Sequence, residues 1–350
     1  MKRKIFNNLI KNTLCILLSL VMVFSLASCD AKKDEVKIVG SIIDGAGREV
    51  GIREDAALAT IASVYSVAVP FFVALGLTDR VLAVNVKSSF WNMANKDLDA
   101  AGTVGRGTVD LEKLASFAPT ALVHRSNDPE TVEAVSKLGI DVICITVENI
   151  DDIKYTLSIL GKYFGKEDRV AEVTNWIDKK FAYIDSIVER IPQSERKTAL
   201  LMGGELGRVA GDDMLQTWMI KKAGGIPVVD AGKNHNWINI GVEKVFEYNP
   251  DVMFCTSSAS RNYKTEEILG DGTWSAMTCV KNNDIYIVPT ALDSWDQPGI
   301  SCILGTLYML REMYPEYLSV DDFEDQVDDY YRFMFGRCFD KELEIDWNNF

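Results

Sequence analysis

The sequence predicts an α/β protein of two lobes joined by one long helix, with a ligand cleft where the lobes face each other. Three observations carry that expectation. A helix–proline–strand signature occurs twice, 131 residues apart: Asp110-Leu111-Glu112 before Ala118-Pro119-Thr120-Ala121-Leu122-Val123, and Gly241-Val242-Glu243 before Asn249-Pro250-Asp251-Val252-Met253-Phe254. In each copy a glutamate stands seven residues before a proline that ends the helix and opens an apolar run of buried-strand length. Between the copies lies a long helical periodicity, and on both sides of it strand and helix patterns alternate.

The chain opens with an export leader over residues 1–28. Lys2, Arg3, Lys4 and Lys11 form a basic n-region, and Leu14 to Ala27 is an apolar core short for a membrane span. It closes in Leu26-Ala27-Ser28-Cys29, which resembles a bacterial lipobox. The resemblance implies cleavage before Cys29 and a diacylglycerol on its thiol; an uncleaved signal anchor is the alternative. Residues 29–35 read as a polar tether. The mature chain is thus expected outside the cytoplasm, anchored to the cell membrane through lipidated Cys29 and not spanning it.

The first lobe is expected over residues 36–165. Val36 to Ile43 and Glu49 to Ile52 flank Asp44-Gly45-Ala46-Gly47, a hairpin signal. Thr60 to Val64 reads as a strand, Val67 to Leu75 as a helix closed by Gly76, and Val81 to Val84 as a strand. After Thr120 to Val123 come a helix from Pro129 to Leu138, closed by Gly139, and a strand from Asp141 to Ile145. Ile150, Ile153, Leu157 and Leu160 mark the next amphipathic helix.

Residues 166–192 form the expected connecting helix. Val170, Val173, Ile177, Phe181, Ile184, Val188 and Ile191 recur at three- and four-residue steps until Pro192 stops the run. A helix from Lys166 to Ile191 is about 39 Å long at 1.5 Å per residue. It can bridge two lobes stiffly, and the alternative is a surface helix of one large domain. The second lobe, residues 193–350, repeats the alternation with Thr198 to Met202, a helix from Met214 to Ala223, Val252 to Cys255, Ile285 to Val288 and a helix from Ile300 to Met313.

Charge and rare residues narrow the partners. The whole chain carries a formal net charge of −14, and losing the leader's four basic residues leaves 33 basic against 51 acidic, a net of −18. Nucleic acid is therefore excluded as a partner class. Cys15 leaves with the leader, and Cys144, Cys255, Cys279, Cys302 and Cys338 show no C-x-x-C spacing. The 2 histidines, His124 and His235, are too few for a zinc or manganese site built of several His and carboxylates. Each reads as a hydrogen-bonding loop histidine, with ligation of haem iron or another metal as the functional alternative.

In open α/β sheets, ligands lie beyond the carboxyl ends of the strands. The loops there carry Tyr65, Trp91, His124 and Arg125 in the first lobe, and Arg208, His235, Trp237, Arg261, Trp295 and Asp296 in the second. Aromatics and arginines suit a flat or aromatic anionic ligand, through stacking and bidentate contacts. Trp295 is expected to face the cleft, because Asp293 and Asp296 beside it make deep burial uncomfortable. The other tryptophans and arginines have packing or surface roles as their alternatives.

Taken in order, several stretches resemble the helical-backbone (class III) substrate-binding proteins of ABC importers, especially the ferric-siderophore, haem and cobalamin binders. They are residues 41–50 (Ser41-Ile42-Ile43-Asp44-Gly45-Ala46-Gly47-Arg48-Glu49-Val50), the turn from Ala74 to Val81, both Glu…Pro elements, Ala223-Gly224-Gly225 and Met313-Tyr314-Pro315-Glu316. The resemblance implies two Rossmann-like lobes and an extracytoplasmic lipoprotein that captures an iron chelate, with haem or a corrinoid as alternatives. That ligand is cargo and not a cofactor, and no resident metal is implied. The implied partners are an ABC permease and its ATPase, and the protein would act as a monomer. Glu112 and Glu243 match the acidic positions that meet permease arginines in that family; helix-dipole decoration is the other reading. An exported enzyme is the rival class. Gly203-Gly204-Glu205-Leu206-Gly207 follows a strand but lacks the G-x-G-x-x-G spacing, and no Walker loop or G-x-S-x-G elbow occurs.

Overall fold

The duplicated signature folds twice into the same unit. Helix α3 (Leu111–Phe117) and helix α8 (Val242–Tyr248) each have seven residues, with the glutamate second. Each buries one residue at the same place, Leu114 or Val245, against its own sheet. Each ends in a left-handed residue, Ala118 (φ 44°) or Asn249 (φ 41°), directly before the proline. That backbone turns the chain into strand β6 (Ala121–Arg125) or strand β12 (Val252–Cys255). The residue after each proline then clamps the neighbouring strand: Thr120 and Thr60 exchange hydrogen bonds, as do Asp251 and Thr198.

The computed structural model describes residues 36–85, 95–230, 232, 236–256, 261–289 and 294–336. Cys29, Trp91 and His235 lie outside them. The first lobe contains a five-stranded parallel sheet in the order β5-β4-β3-β6-β7. Its strands beside β6 are β3 (Ile61–Ala62), β4 (Val81–Val84), β5 (Gly102–Thr103) and β7 (Asp141–Ile145). Helices α1 (Val69–Ala74), α2 (Lys96–Ala100), α3, α4 (Pro129–Ser136) and α5 (Ile150–Phe164) complete it. The hairpin of β1 (Ile38–Ile43) and β2 (Glu49–Arg53) docks its tip on β7. Buried Asp44 accepts from Arg48 at 2.6 Å and from the Cys144 amide at 3.0 Å. Gly45 is required there, because a Cβ would stand 2.7 Å from the Thr146 nitrogen.

The second lobe is a mixed sheet in the order β11-β9-β8-β12-β13, with β10 also paired to β8. Besides β12 its strands are β8 (Thr198–Met202), β9 (Arg208–Ala210), β10 (Ile226–Pro227), β11 (Trp237–Asn239) and β13 (Ile285–Ile287). β9 runs antiparallel to β8 and β11 antiparallel to β9, so this edge departs from the all-parallel pattern. Residues 208 and 237 were expected in loops; each instead sits in a three-residue strand too short to show a pattern, β9 inside the sheet and β11 at its edge. Helices α7 (Leu215–Lys222), α9 (Thr265–Gly270), α10 (Thr278–Lys281) and α11 (Cys302–Met313) follow the sequence order.

Helix α6 (Glu167–Val188) is the connector, about 33 Å long for its 22 residues and one turn shorter at its C-terminal end than its periodicity indicates. It buries Val173, Ile177, Phe181, Ile184 and Ile187. A second long helix, α12 (Val320–Phe335), was not anticipated and runs beside it. Phe333 stacks on Trp176 at 4.8 Å, the Trp176 indole donates to Asp329 at 3.0 Å, and Arg169 donates to the carbonyls of Ala74 and Phe333. One face of each sheet shares a single continuous apolar core with α6, α11 and α12, whereas the opposite faces have separate smaller cores. The shared core makes the connection stiff, since close-packed interiors do not deform continuously.

Candidate functional site

The strands of both sheets deliver their following loops to one cavity of about 730 Å³ between the lobes. Tyr65 and Val67, after β3, and Glu148, after β7, form the first-lobe wall. The facing wall carries Arg208 of β9 and Trp237 of β11, on adjacent antiparallel strands where Arg208 stands opposite Asn239 and Trp237 opposite Ala210. Gly203 makes room for that tryptophan: a Cβ there would lie 2.8 Å from the indole. Burial pushes the Tyr65 phenol up to about 12, so it stays protonated and able to donate. The cavity volume falls in the range that encloses a drug-sized molecule.

The floor is polar and buried. Asp296 is 2% exposed, and its Oδ2 accepts from the Thr256 hydroxyl. Gln216, in the first turn of α7, donates its Nε2 to the Asp296 carbonyl at 2.7 Å. Among the described residues Asp296 Oδ1 and Gln216 Oε1 have no hydrogen-bond partner. Burial pushes the Asp296 carboxyl up to about 6, against the Thr256 hydroxyl and its own amide, which hold it down.

A side cavity of about 120 Å³ shares Tyr65 with the cleft and is lined by His124, Arg125, Asn85 and Gly107. His124 is buried on β6, with Nε2 3.0 Å from Asp128 Oδ2. Burial lowers the imidazole's pKa, while the bond to Asp128 opposes that. Asp128 also accepts from Arg125 at 3.1 Å and caps α4 through the Thr131 amide. His124 is thus hydrogen-bonded, but it and Arg125 lie within strand β6 and not in the loop expected of them, because the ladder to β7 continues through both residues. Among the described residues no group of three His, Cys, Asp or Glu is placed to hold a metal ion.

The residues singled out from sequence thus divide. Tyr65, Arg208, Trp237 and Asp296 meet in the cleft, and His124 and Arg125 line the side cavity. Arg261 is outside both linings; its guanidinium lies over the Tyr263 ring at 5.6 Å. Trp295 corrects the expectation: it is 1% exposed, with its ring 6.2 Å from Phe323 and its Nε1 3.5 Å from the Tyr331 hydroxyl. Its neighbour Asp296 faces the cleft, while the indole turns to the apolar face of α12. The charge expected to prevent burial points the other way. Of the three arginines expected around the ligand, only Arg208 lines the main cleft.

Glu148, Gln216 and Thr256 were missed. Glu148 and Thr256 follow strand ends and were open to the same loop rule; Gln216 sits in a helix where periodicity shows only that it is not apolar.

The model of the Peripla_BP_2 family, described as periplasmic binding protein, matches residues 61–292. The molybdate-binding protein MolA of Haemophilus influenzae is 20% identical over 250 residues, 64% of this chain and 69% of that protein. Its molybdate-bound structure superposes with a TM-score of 0.73 at 18% identity, covering 86% of this chain and 99% of that one. A periplasmic solute binding protein from Veillonella parvula gives 0.72 at 19% identity, covering 87% and 95%. Helicobacter pylori CeuE, solved with Ni(II) bound, also gives 0.72 at 19% identity, covering 87% and 99%. At these identities the structural likeness is one of fold. It agrees with two open-sheet α/β lobes joined by long helices. The match over most of the chain goes further: this protein belongs to the periplasmic binding protein family, extracytoplasmic solute carriers of ABC importers and not catalysts.

Proposed function

We propose that the protein is a membrane-anchored lipoprotein, attached through Cys29, that captures a metal chelate outside the cell and delivers it to an ABC permease and its ATPase. A ferric siderophore is the preferred cargo. The observation that carries this reading is the interlobe cleft of about 730 Å³, walled by Tyr65 and Trp237 with Arg208 beside them. Such a space suits an organic chelate whose own donors fill the metal's coordination sphere. A bare tetrahedral oxyanion would leave most of it empty. Haem and corrinoids remain the alternatives of similar size.

A molybdate-like oxyanion is the second reading, favoured by the sequence relationship to the molybdate-binding MolA. The lining weighs against it, since Glu148 and Asp296 outnumber Arg208. Glu112 and Glu243 are proposed as the two permease-docking points. Both are exposed, and they occupy equivalent positions on α3 and α8. These helices begin five residues or fewer beyond Gly107 and Trp237, which line the two cavities. Two carboxylates so placed, one per lobe, can set the orientation of docking.

The test is tryptophan-fluorescence titration of the full chain in detergent with ferric siderophores, haemin, cobalamin and molybdate, corrected for absorbance. Saturable quenching by a ferric siderophore, lost in Trp237→Ala, is the expected result. Saturation by molybdate alone would replace the chelate reading with the oxyanion one.

A further inference from the structure

The cleft floor carries chemistry that a generic chelate pocket does not need. Gln216 has its amide orientation dictated by the Asp296 carbonyl, which accepts from Nε2 at 2.7 Å; a flipped amide would set oxygen against oxygen. Its Oε1 is therefore committed as an acceptor. Asp296 spends Oδ2 on the Thr256 hydroxyl and keeps Oδ1 for something else. Both residues line the cleft, with Gln216 5% and Asp296 2% exposed. Two buried acceptors with no donor among the described residues are costly when empty, and a buried carboxylate with no counter-charge among them is costlier still.

Resting on the reading of this cleft as the cargo site, we infer that Asp296 Oδ1 and Gln216 Oε1 form a subsite for a cationic hydrogen-bond donor on the cargo, of the primary-ammonium class. An ammonium supplies three donors and no acceptor, which complements two acceptors and one negative charge. A carboxylate or oxyanion in the same place would set oxygens against both. The surroundings agree. The described charged residues of the cleft lining are Asp296, Glu148 across from it and exposed Arg208 on β9. Among the described residues Asp296 makes no ion pair, and the Tyr263 phenol, a titratable group that feels its charge, is held protonated by burial. Tyr65 and Trp237 offer ring faces, which attract cations. The cargo best matched is a neutral metal–chelate core with a pendant ammonium, in place of the strongly anionic ligand that three arginines would have suited.

The experiment uses the full chain in detergent and ferric tris-hydroxamates that differ only in a pendant primary ammonium or a pendant carboxylate. A second arm uses n-pentylammonium alone, with n-pentanoate as control, read by saturation-transfer NMR. At pH 7.5 the ammonium chelate should bind about tenfold or more tighter than the carboxylate one, the strength of a charge-assisted hydrogen bond. Asp296→Asn should bring that ratio close to unity and remove the pentylammonium signal. Gln216→Leu, which keeps the charge and removes one acceptor, should reduce the ratio and serves if the first variant does not fold. Equal affinities in the wild type, or a preference unchanged by these substitutions, would overturn the subsite while leaving a receptor for chelates in place. Pentylammonium binding that depends on Asp296, with no ferric chelate bound, would keep the subsite and remove iron chelates as cargo.

Discussion

Replacing Asp296 by asparagine should erase a defined part of the protein's pH-dependent stability. The carboxyl titrates near 3.8 when unperturbed and at about 6 in its buried position. The folded state thus holds this proton over a range where the unfolded chain has released it. With a folded pKa above the unfolded one, a carboxyl makes stability fall as pH rises through that window, from about 4 to 6, and level off above it. Two pH units at about 1.4 kcal/mol each amount to about 3 kcal/mol lost by the wild type across the window and not by Asp296→Asn. Glu312, raised by burial, and His124, lowered by it, titrate in both proteins and cancel in the comparison. The asparagine would leave an unpartnered buried N–H, at a cost of about 1–3 kcal/mol, so the constant offset between the proteins is no test. The slope is. Urea unfolding of both at steps from pH 3.5 to 7.5, plotted as their difference, should rise in favour of the variant by about 3 kcal/mol and then flatten. A difference that stays level across the range would refute the claim that Asp296 is buried with no compensating charge among the described residues.

Three further outcomes follow from the packing. Trp295→Ala should cost about 3–5 kcal/mol in urea unfolding, because it empties a core site, whereas Trp237→Ala should weaken cargo binding in fluorescence or calorimetric titration with a smaller loss of stability. Reversed effects would mean that the two indoles have been assigned to the wrong environments. Gly305→Ala places a methyl 2.3 Å from both the Trp295 carbonyl oxygen and the Met219 methyl. It should lower stability by about 1–3 kcal/mol and, by pushing the Trp295–Asp296 segment off α11, weaken cargo binding as well. The double substitution Glu112→Ala with Glu243→Ala should abolish uptake into cells while cargo affinity in titration is unchanged; lost affinity would remove the docking role.

The local signals in this chain are strong where breakers frame an apolar run. Strands β4, β7, β8 and β12 lie where their apolar runs predict, and Gly76, Gly139 and both Glu…Pro units end their helices at or near the expected places. The duplication at 131 residues already contained the two lobes, because helix, proline and strand are adjacent in sequence and need no distant partner to be recognised. The loop rule located Tyr65 and Asp296 for the same reason. Tertiary structure decided the rest. Trp295 and Asp296 are neighbours in sequence, yet one enters the core against α12 and the other faces the cleft, a choice made by a helix that contacts them from a distance of more than twenty residues. Gln216 became part of the floor only because the Asp296 carbonyl orients its amide across 80 residues of chain. Periodicity records which side of an element is apolar; which loops converge, and which way adjacent side chains turn, depends on the packing of segments remote in sequence.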